Sequence, residues 1–168
     1  MEGAPNEIPS TFGFFCYGSL RPDDDSGMPW TKDAVLLMNA QPASISGAKL
    51  YEDTYASLVF DNCGDDDTCK RTSSVVIGWV LTCSDPALFQ RKLEQFDRIE
   101  GYIPNNKNSI YQRAIANVCL GDPTMAIGDP VGAQGSLVRA YVYHRPDRHK
   151  KYRIQSGDWL KRGLSKNK

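Results

Sequence analysis

One segment of this chain carries a long helical pattern, and that scarcity constrains the fold more than any other feature. From Ser84 to Glu100, apolar residues recur at helical spacing, and Phe89, Leu93 and Phe96 fall on one stripe. Ser84 or Asp85 is placed to cap the start, Pro86 suits the first turn, and Gly101 suits the position past the end. The rest reads as strands and loops. Thr11 to Tyr17 is a short aromatic strand, and Val75 to Leu81 is apolar on both faces and therefore central to a sheet. Ser44 to Tyr51, Ser57 to Phe60, Tyr111 to Leu120 and Leu137 to Tyr143 are further strands, with a short helix at Asp33 to Asn39. One main helix cannot supply the repeated crossovers of a parallel sheet. The chain is therefore expected to be α+β, a mostly antiparallel sheet curled into a small barrel.

The 168 residues fit a single domain spanning 1–168. Met1 to Ser10 reads as a loose leader, with neither the basic start nor the apolar core of a secretory signal. No stretch is long and apolar enough for a membrane helix, and zero formal net charge points to neither nucleic acid nor membrane as partner. Five cysteines without a ladder of spacings fit a reducing compartment, so cytoplasmic location is expected. Charge is uneven. Residues 145–168 hold nine Lys or Arg against two Asp, which reads as a solvated basic C-terminal segment or as an arm that attracts anions.

Glu100 continues the stripe of Phe89, Leu93 and Phe96 onto the face the helix buries. It also lies in the last turn, where the helix dipole is negative. Burial and dipole both disfavour its ionised form and raise its pKa from an ordinary value of about 4.3. That is what a general acid/base requires. A frayed end residue reaching solvent, or a partner for Arg113, are the structural alternatives. Tyr17, Gly18, Ser19 and Leu20 follow the first strand directly, and such a turn either aims backbone N–H groups at an anion or is an ordinary turn.

Phe14-Phe15-Cys16-Tyr17-Gly18-Ser19-Leu20 resembles the opening strand and loop of the γ-glutamylcyclotransferase-like superfamily. Asp97-Arg98-Ile99-Glu100-Gly101 resembles its helix end, and Tyr111-Gln112-Arg113 the opening of its next strand. Ala140-Tyr141-Val142-Tyr143 resembles a later core strand, and Ser156-Gly157-Asp158-Trp159 a tail motif. The resemblance is nearest to the plant-defence-induced and γ-glutamylamine branch. It implies a small mixed, mostly antiparallel β-barrel with flanking helices. It further implies that Tyr17 to Leu20 hold a small-molecule γ-glutamyl substrate and that Glu100 is catalytic. The sequence departs from the branch at Arg21-Pro22-Asp23-Asp24-Asp25, around Tyr55-Ala56-Ser57-Leu58, and in a lengthened Asp61 to Thr72 loop.

The implied reaction is economical. A γ-glutamyl amide carries its own nucleophile, the α-amine, which attacks the γ-carbonyl and closes a five-membered lactam, 5-oxoproline. It needs no metal or cofactor. Tyr111 and Tyr143 read as pocket lining or as ordinary core aromatics. Cys16 has no histidine partner nearby in sequence and reads as a core thiol. Cys63 and Cys69, with acidic neighbours, lack the second pair a zinc site needs, and Asp23 to Asp25 reads as a solvated run. A module that binds a γ-glutamyl or carboxylate ligand without turning it over, or a protein acting through its basic tail, are the rival readings.

Overall fold

The computed structural model describes residues 13–61, 74–121, 136–145 and 152–163. Five strands form a closed barrel in the order β1 (Gly13–Cys16), β5 (Val75–Thr82), β2 (Asn39–Ser46), β6 (Gln112–Leu120), β7 (Leu137–His144). All its ladders are antiparallel except one. The barrel closes where β1 runs parallel to β7, Gly13 opposite Ala140 and Phe14 opposite Tyr141. A second sheet has the order β4 (Ala56–Phe60), β3 (Ala48–Glu52), β8 (Tyr152–Arg153). Among the described residues, two α-helices, α1 (Pro29–Val35) and α2 (Pro86–Glu100), and a short 3-10 turn at Trp159–Lys161 complete the fold.

All four residues of β1 are buried because both its faces are covered. Successive strand side chains point to opposite faces. Phe15 and Tyr17 pack with Ile45, Val76, Val80, Val118 and Val142 in one core. Phe14, Cys16 and Leu20 pack with Leu93, Phe96, Tyr111 and Tyr143 in the other, beneath α2. Phe14 alone stacks on Phe89 at 4.7 Å and meets Phe96 edge-on at 4.6 Å. β5 is central as its sequence implied, flanked by β1 and β2.

Four sequence expectations are corrected. The helix expected at Asp33 to Asn39 is instead Pro29–Val35. Asn39 onward is drawn into an eight-residue ladder with β5, and ladder pairing overrides a weak helical pattern. The strand expected at Ser44 to Tyr51 is two strands, broken at Gly47, whose φ of 77° only glycine adopts readily. That turn passes the chain from the barrel to the second sheet.

The Asp23 to Asp25 run is not uniformly solvated. Asp24 is 2 % exposed and Arg21 4 %. Arg21 places Nε and Nη2 on the two carboxylate oxygens of Asp23 and Nη1 on Asp158, each at 2.8 Å. Asp24 accepts from Ser26 and from the indole of Trp159 at 3.2 Å. The basic segment is likewise no free arm where it is described. Ile154 and Trp159 are core residues, β8 pairs with β3, and Arg162 lies over the Trp159 ring at 4.2 Å. Expectations on Met1 to Ser10, on Cys63 and Cys69, and on all of the Asp61 to Thr72 loop beyond Asp61 lie outside the described residues.

The clasp between the Arg21–Asp24 loop and Trp159 joins residues more than a hundred positions apart, so it should matter to global stability. Trp159→Ala should cost about 3–5 kcal/mol in chemical denaturation, as large aromatic deletions from cores do. A loss under about 1 kcal/mol would show the clasp to be peripheral.

Candidate active site

The site begins with the way α2 ends. Asp85 caps its start, accepting from the Ala87 N–H at 2.9 Å, with Pro86 at the first position. At the other end Gly101 turns left-handed at φ 64°. Its N–H and that of Tyr102 close back on the Asp97 and Arg98 carbonyls. This stop makes Glu100 the last helical residue. Arg91, Glu94 and Arg98 face solvent on the other side, as the stripe implied.

Three residues before Glu100, Asp97 locks the helix end to the barrel wall. One carboxylate oxygen takes a 2.6 Å ion pair from Arg113 on β6, and the other a 2.6 Å hydrogen bond from the Tyr143 hydroxyl on β7. Arg113 also lies over the rings of Tyr102 and Tyr141, at 4.8 and 5.0 Å. Arg113 is thus the partner of Asp97, not of Glu100.

Glu100 is half-buried, and among the described residues no group hydrogen-bonds or ion-pairs with its carboxyl. Burial without a compensating charge pushes its pKa from 4.5 up to about 7. Its charge is felt by Cys16, Tyr17, Tyr111 and Tyr143, whose pKa values burial has already raised. These four side chains come from β1, the loop after it, the residue before β6 and the end of β7. The Cys16 thiol is held in its neutral form, which removes it as a nucleophile.

The loop after β1 is a turn in which the Arg21 N–H bonds to the Gly18 carbonyl at 3.0 Å. The N–H groups of Ser19 and Leu20 enter no hydrogen bond among the described residues. The Tyr17 and Leu20 side chains are buried, and Ser19 is exposed. Tyr17 donates its hydroxyl to the Tyr143 carbonyl at 2.5 Å, so its side chain serves packing. Gly18 is required by space, since a Cβ there would lie 2.8 Å from that of Ala56 on β4. Tyr111 donates to the Ala56 carbonyl at 2.5 Å. The loop, β4 and the residue before β6 are thereby pinned together. Tyr111 and Tyr143 are buried aromatics whose hydroxyls are spoken for.

Sequence reasoning missed the lock by Asp97 and the buried Arg145, the residue after β7. Asp97 was visible in the Asp-x-x-Glu-Gly motif, but nothing local says that Arg113 and Tyr143 converge on it. Among the described residues no group of three His, Cys, Asp or Glu converges as a metal site would require, and no helix is long and apolar enough to cross a membrane.

The profile of the AIG2-like γ-glutamyl cyclotransferase family matches residues 14–161. The chain belongs to that family. Among solved structures it resembles an uncharacterised protein from Pyrococcus horikoshii, with TM-score 0.54 and 16 % identity, over 93 % of this chain and 96 % of that one. It also resembles a yeast γ-glutamyl cyclotransferase specific to glutathione, with TM-score 0.50 and 15 % identity, over 84 % of this chain and 72 % of that one. At such identities the likeness concerns the barrel fold. A sequence search of curated proteins gives no match.

Ionisation of Glu100 should oppose folding. Because its folded pKa is raised, the stability this group contributes is full below the unfolded value near 4.5 and is lost as pH rises through about 7. Glu100→Gln removes that dependence. The variant should match wild type at pH 4 and become more stable than it by up to about 3 kcal/mol at pH 8, since each tenfold change in acidity is worth roughly 1.36 kcal/mol. Parallel melting curves with the same offset at both pH values would mean that Glu100 ionises normally.

Proposed function

We propose that this protein is a γ-glutamyl cyclotransferase that converts a γ-glutamyl amide to 5-oxoproline and a free amine, with Glu100 as general acid/base. The observation that carries the reading is a half-buried carboxyl, unpaired among the described residues and pushed up to about 7, beside a loop whose Ser19 and Leu20 N–H groups are unused. Family membership over residues 14–161 supports the same chemistry.

In this reading the backbone of Tyr17 to Leu20 holds the γ-glutamyl half of the substrate in a bent pose. The α-ammonium, with an ordinary pKa of about 7.7–8.0, passes a proton to Glu100. The freed amine attacks the γ-carbonyl, forming the ring C–N bond, and an N–H of the loop steadies the oxyanion. The leaving nitrogen takes that proton back from Glu100, Glu100 then removes the second proton from the ring nitrogen, and collapse breaks the bond to the leaving nitrogen, whose freed amine carries the second proton away from Glu100. One carboxyl near neutrality performs these transfers because none is strongly uphill. The attack is intramolecular, so orientation supplies much of the acceleration and no covalent enzyme intermediate is formed. Tyr111 and Tyr143 contribute the apolar wall that keeps the carboxyl poorly solvated, and Asp97 is a positioning residue that fixes the helix end.

The test is 5-oxoproline release from a panel of γ-glutamyl compounds. Glu100→Gln should fold normally, bind substrate and lose at least about 100-fold in turnover. Wild-type kcat/KM should fall as pH drops below about 7, where Glu100 becomes protonated before substrate arrives. Turnover by Glu100→Gln near the wild-type rate would make Glu100 structural. Tight binding of a γ-glutamyl compound with no product from wild type would make the protein a binding module.

A further inference from the structure

The tail motif Ser156-Gly157-Asp158-Trp159 reaches the loop after β1 from the far end of the chain, and it grips the residue next to the unused Ser19 and Leu20 N–H groups. Before it arrives, the tail, residues 154–162, is fixed to the body of the protein. The Ile154 N–H bonds to the Leu50 carbonyl on β3 at 2.8 Å, and the Gly157 carbonyl takes the Ile77 N–H of β5 at 2.8 Å. Gly157 turns left-handed at φ 68°, and a Cβ there would collide with the Val75 carbonyl, so the tail lies directly on β5. From this fixed stretch Asp158 takes Nη1 of Arg21 at 2.8 Å, and Trp159 donates its indole N–H to Asp24 at 3.2 Å. Arg162 adds a third tie, to the Ser26 hydroxyl at 3.1 Å.

Arg21 joins the two ends of this arrangement. It directly follows Leu20, and its own N–H closes the turn on the Gly18 carbonyl at 3.0 Å. Its side chain, 4 % exposed, puts Nε and Nη2 on Asp23 and Nη1 on Asp158. Asp23 also takes a hydrogen bond from Trp79 on β5. The fork therefore anchors the turn on two sides, through Asp23 to the barrel and through Asp158 to the tail. Apolar residues of similar volume often match a buried ion pair in stability, but they do not fix direction as a bidentate fork does. The Ser19 and Leu20 N–H groups enter no hydrogen bond among the described residues, so their directions are set through the chain on either side. On the downstream side that chain is Arg21.

We propose that Arg21 and Asp158 are positioning residues of the active site: the tail holds the Arg21 fork, and Arg21 holds the Ser19 and Leu20 N–H groups in the orientation that receives the substrate. This rests on the cyclotransferase reading above. Oxyanion donors act only if they are in place before the charge develops. A displacement of about 1 Å in a positioned group can cost on the order of 100-fold in rate. In that reading the glutamyl half lies on the same backbone, so a loosened turn weakens binding as well as turnover. The far end of the chain is thereby made a working part of the site, acting through the loop.

Arg21→Gln cannot span two carboxylates, and Asp158→Asn keeps its shape but loses the charge that draws the fork. Each is compared with wild type, below its melting transition, by 5-oxoproline release and by nitrogen-15 relaxation of the Gly18, Ser19 and Leu20 amides. Wild type should give order parameters of about 0.85 there, and Arg21→Gln values below about 0.6. In Arg21→Gln, kcat should fall at least about tenfold and KM rise at least about threefold. The acidic limb of kcat/KM should stay at about 7, because Glu100 is untouched. Asp158→Asn should move the same readouts the same way by less. Arg21→Lys should recover part of the loss, because charge is kept and the fork is lost. The double variant should be little worse than Arg21→Gln alone, because the two residues act as one unit. A folded Arg21→Gln with wild-type kcat and KM overturns the proposal. So does a loop that stays ordered while activity falls, a wild-type loop already below about 0.6, or a shifted acidic limb, which would route the effect through the helix end. If Arg21→Gln does not fold, Asp158→Asn decides by the same readouts. If wild type releases no 5-oxoproline from any γ-glutamyl compound, the cyclotransferase reading fails, and relaxation then decides alone. Loosening in the variants would keep the hold of the tail on the loop, and unchanged order would remove it.

Discussion

Asp97 joins the last turn of α2 to two barrel strands, through Arg113 on β6 and Tyr143 on β7. Partly buried, charge-assisted hydrogen bonds of this kind hold a geometry within a narrow range. Everything proposed for the site depends on that range, because Glu100 stands one helical turn further on and has no polar partner of its own among the described residues. A catalytic carboxyl that were itself hydrogen-bonded would be well placed but ordinarily acidic. Here orientation is delegated to a neighbour, so position and raised pKa are obtained together. The left-handed Gly101 completes the arrangement by ending the helix where the carboxyl is needed.

The barrel supplies the second condition, a poorly solvated wall. Alternation along β1 sends Phe15 and Tyr17 to one core and Phe14 and Cys16 to the other. The same four-residue strand thus closes the barrel and supports the helix that carries Glu100. Tyr17, Tyr111 and Tyr143 each tie a hydroxyl to a fixed acceptor, so none of the three offers Glu100 a compensating donor. Raising the pKa of a carboxyl requires withholding partners as much as burying it.

Local and periodic features were legible in the sequence. The helix stripe put Glu100 on the buried face, Asp85, Pro86 and Gly101 marked the helix ends, and apolar residues on both faces of Val75 to Leu81 marked a central strand. What failed depended on distant partners. Asp24 looked solvated because its neighbours are polar, and its burial comes from Trp159 at the far end of the chain. Ser44 to Tyr51 looked continuous because both halves are strands, and only Gly47 betrayed the change of sheet. The separation of Arg113 from Glu100 likewise followed from Asp97 reaching it first. Arg145 was invisible for the same reason, since a basic segment read by composition does not reveal that its first residue is buried.

The central claim is that Glu100 is an acid held near neutrality by burial, and its ionisation is directly measurable. Carbon-13 NMR of the glutamate side-chain carboxyls, with the Glu100 resonance assigned by its loss in Glu100→Gln, follows that one group through a pH titration. The account predicts a midpoint about 7, well above the ordinary 4.5. A midpoint at or below the ordinary value would show that the carboxyl is solvated or paired, and would contradict the acid/base role on which the proposed chemistry stands.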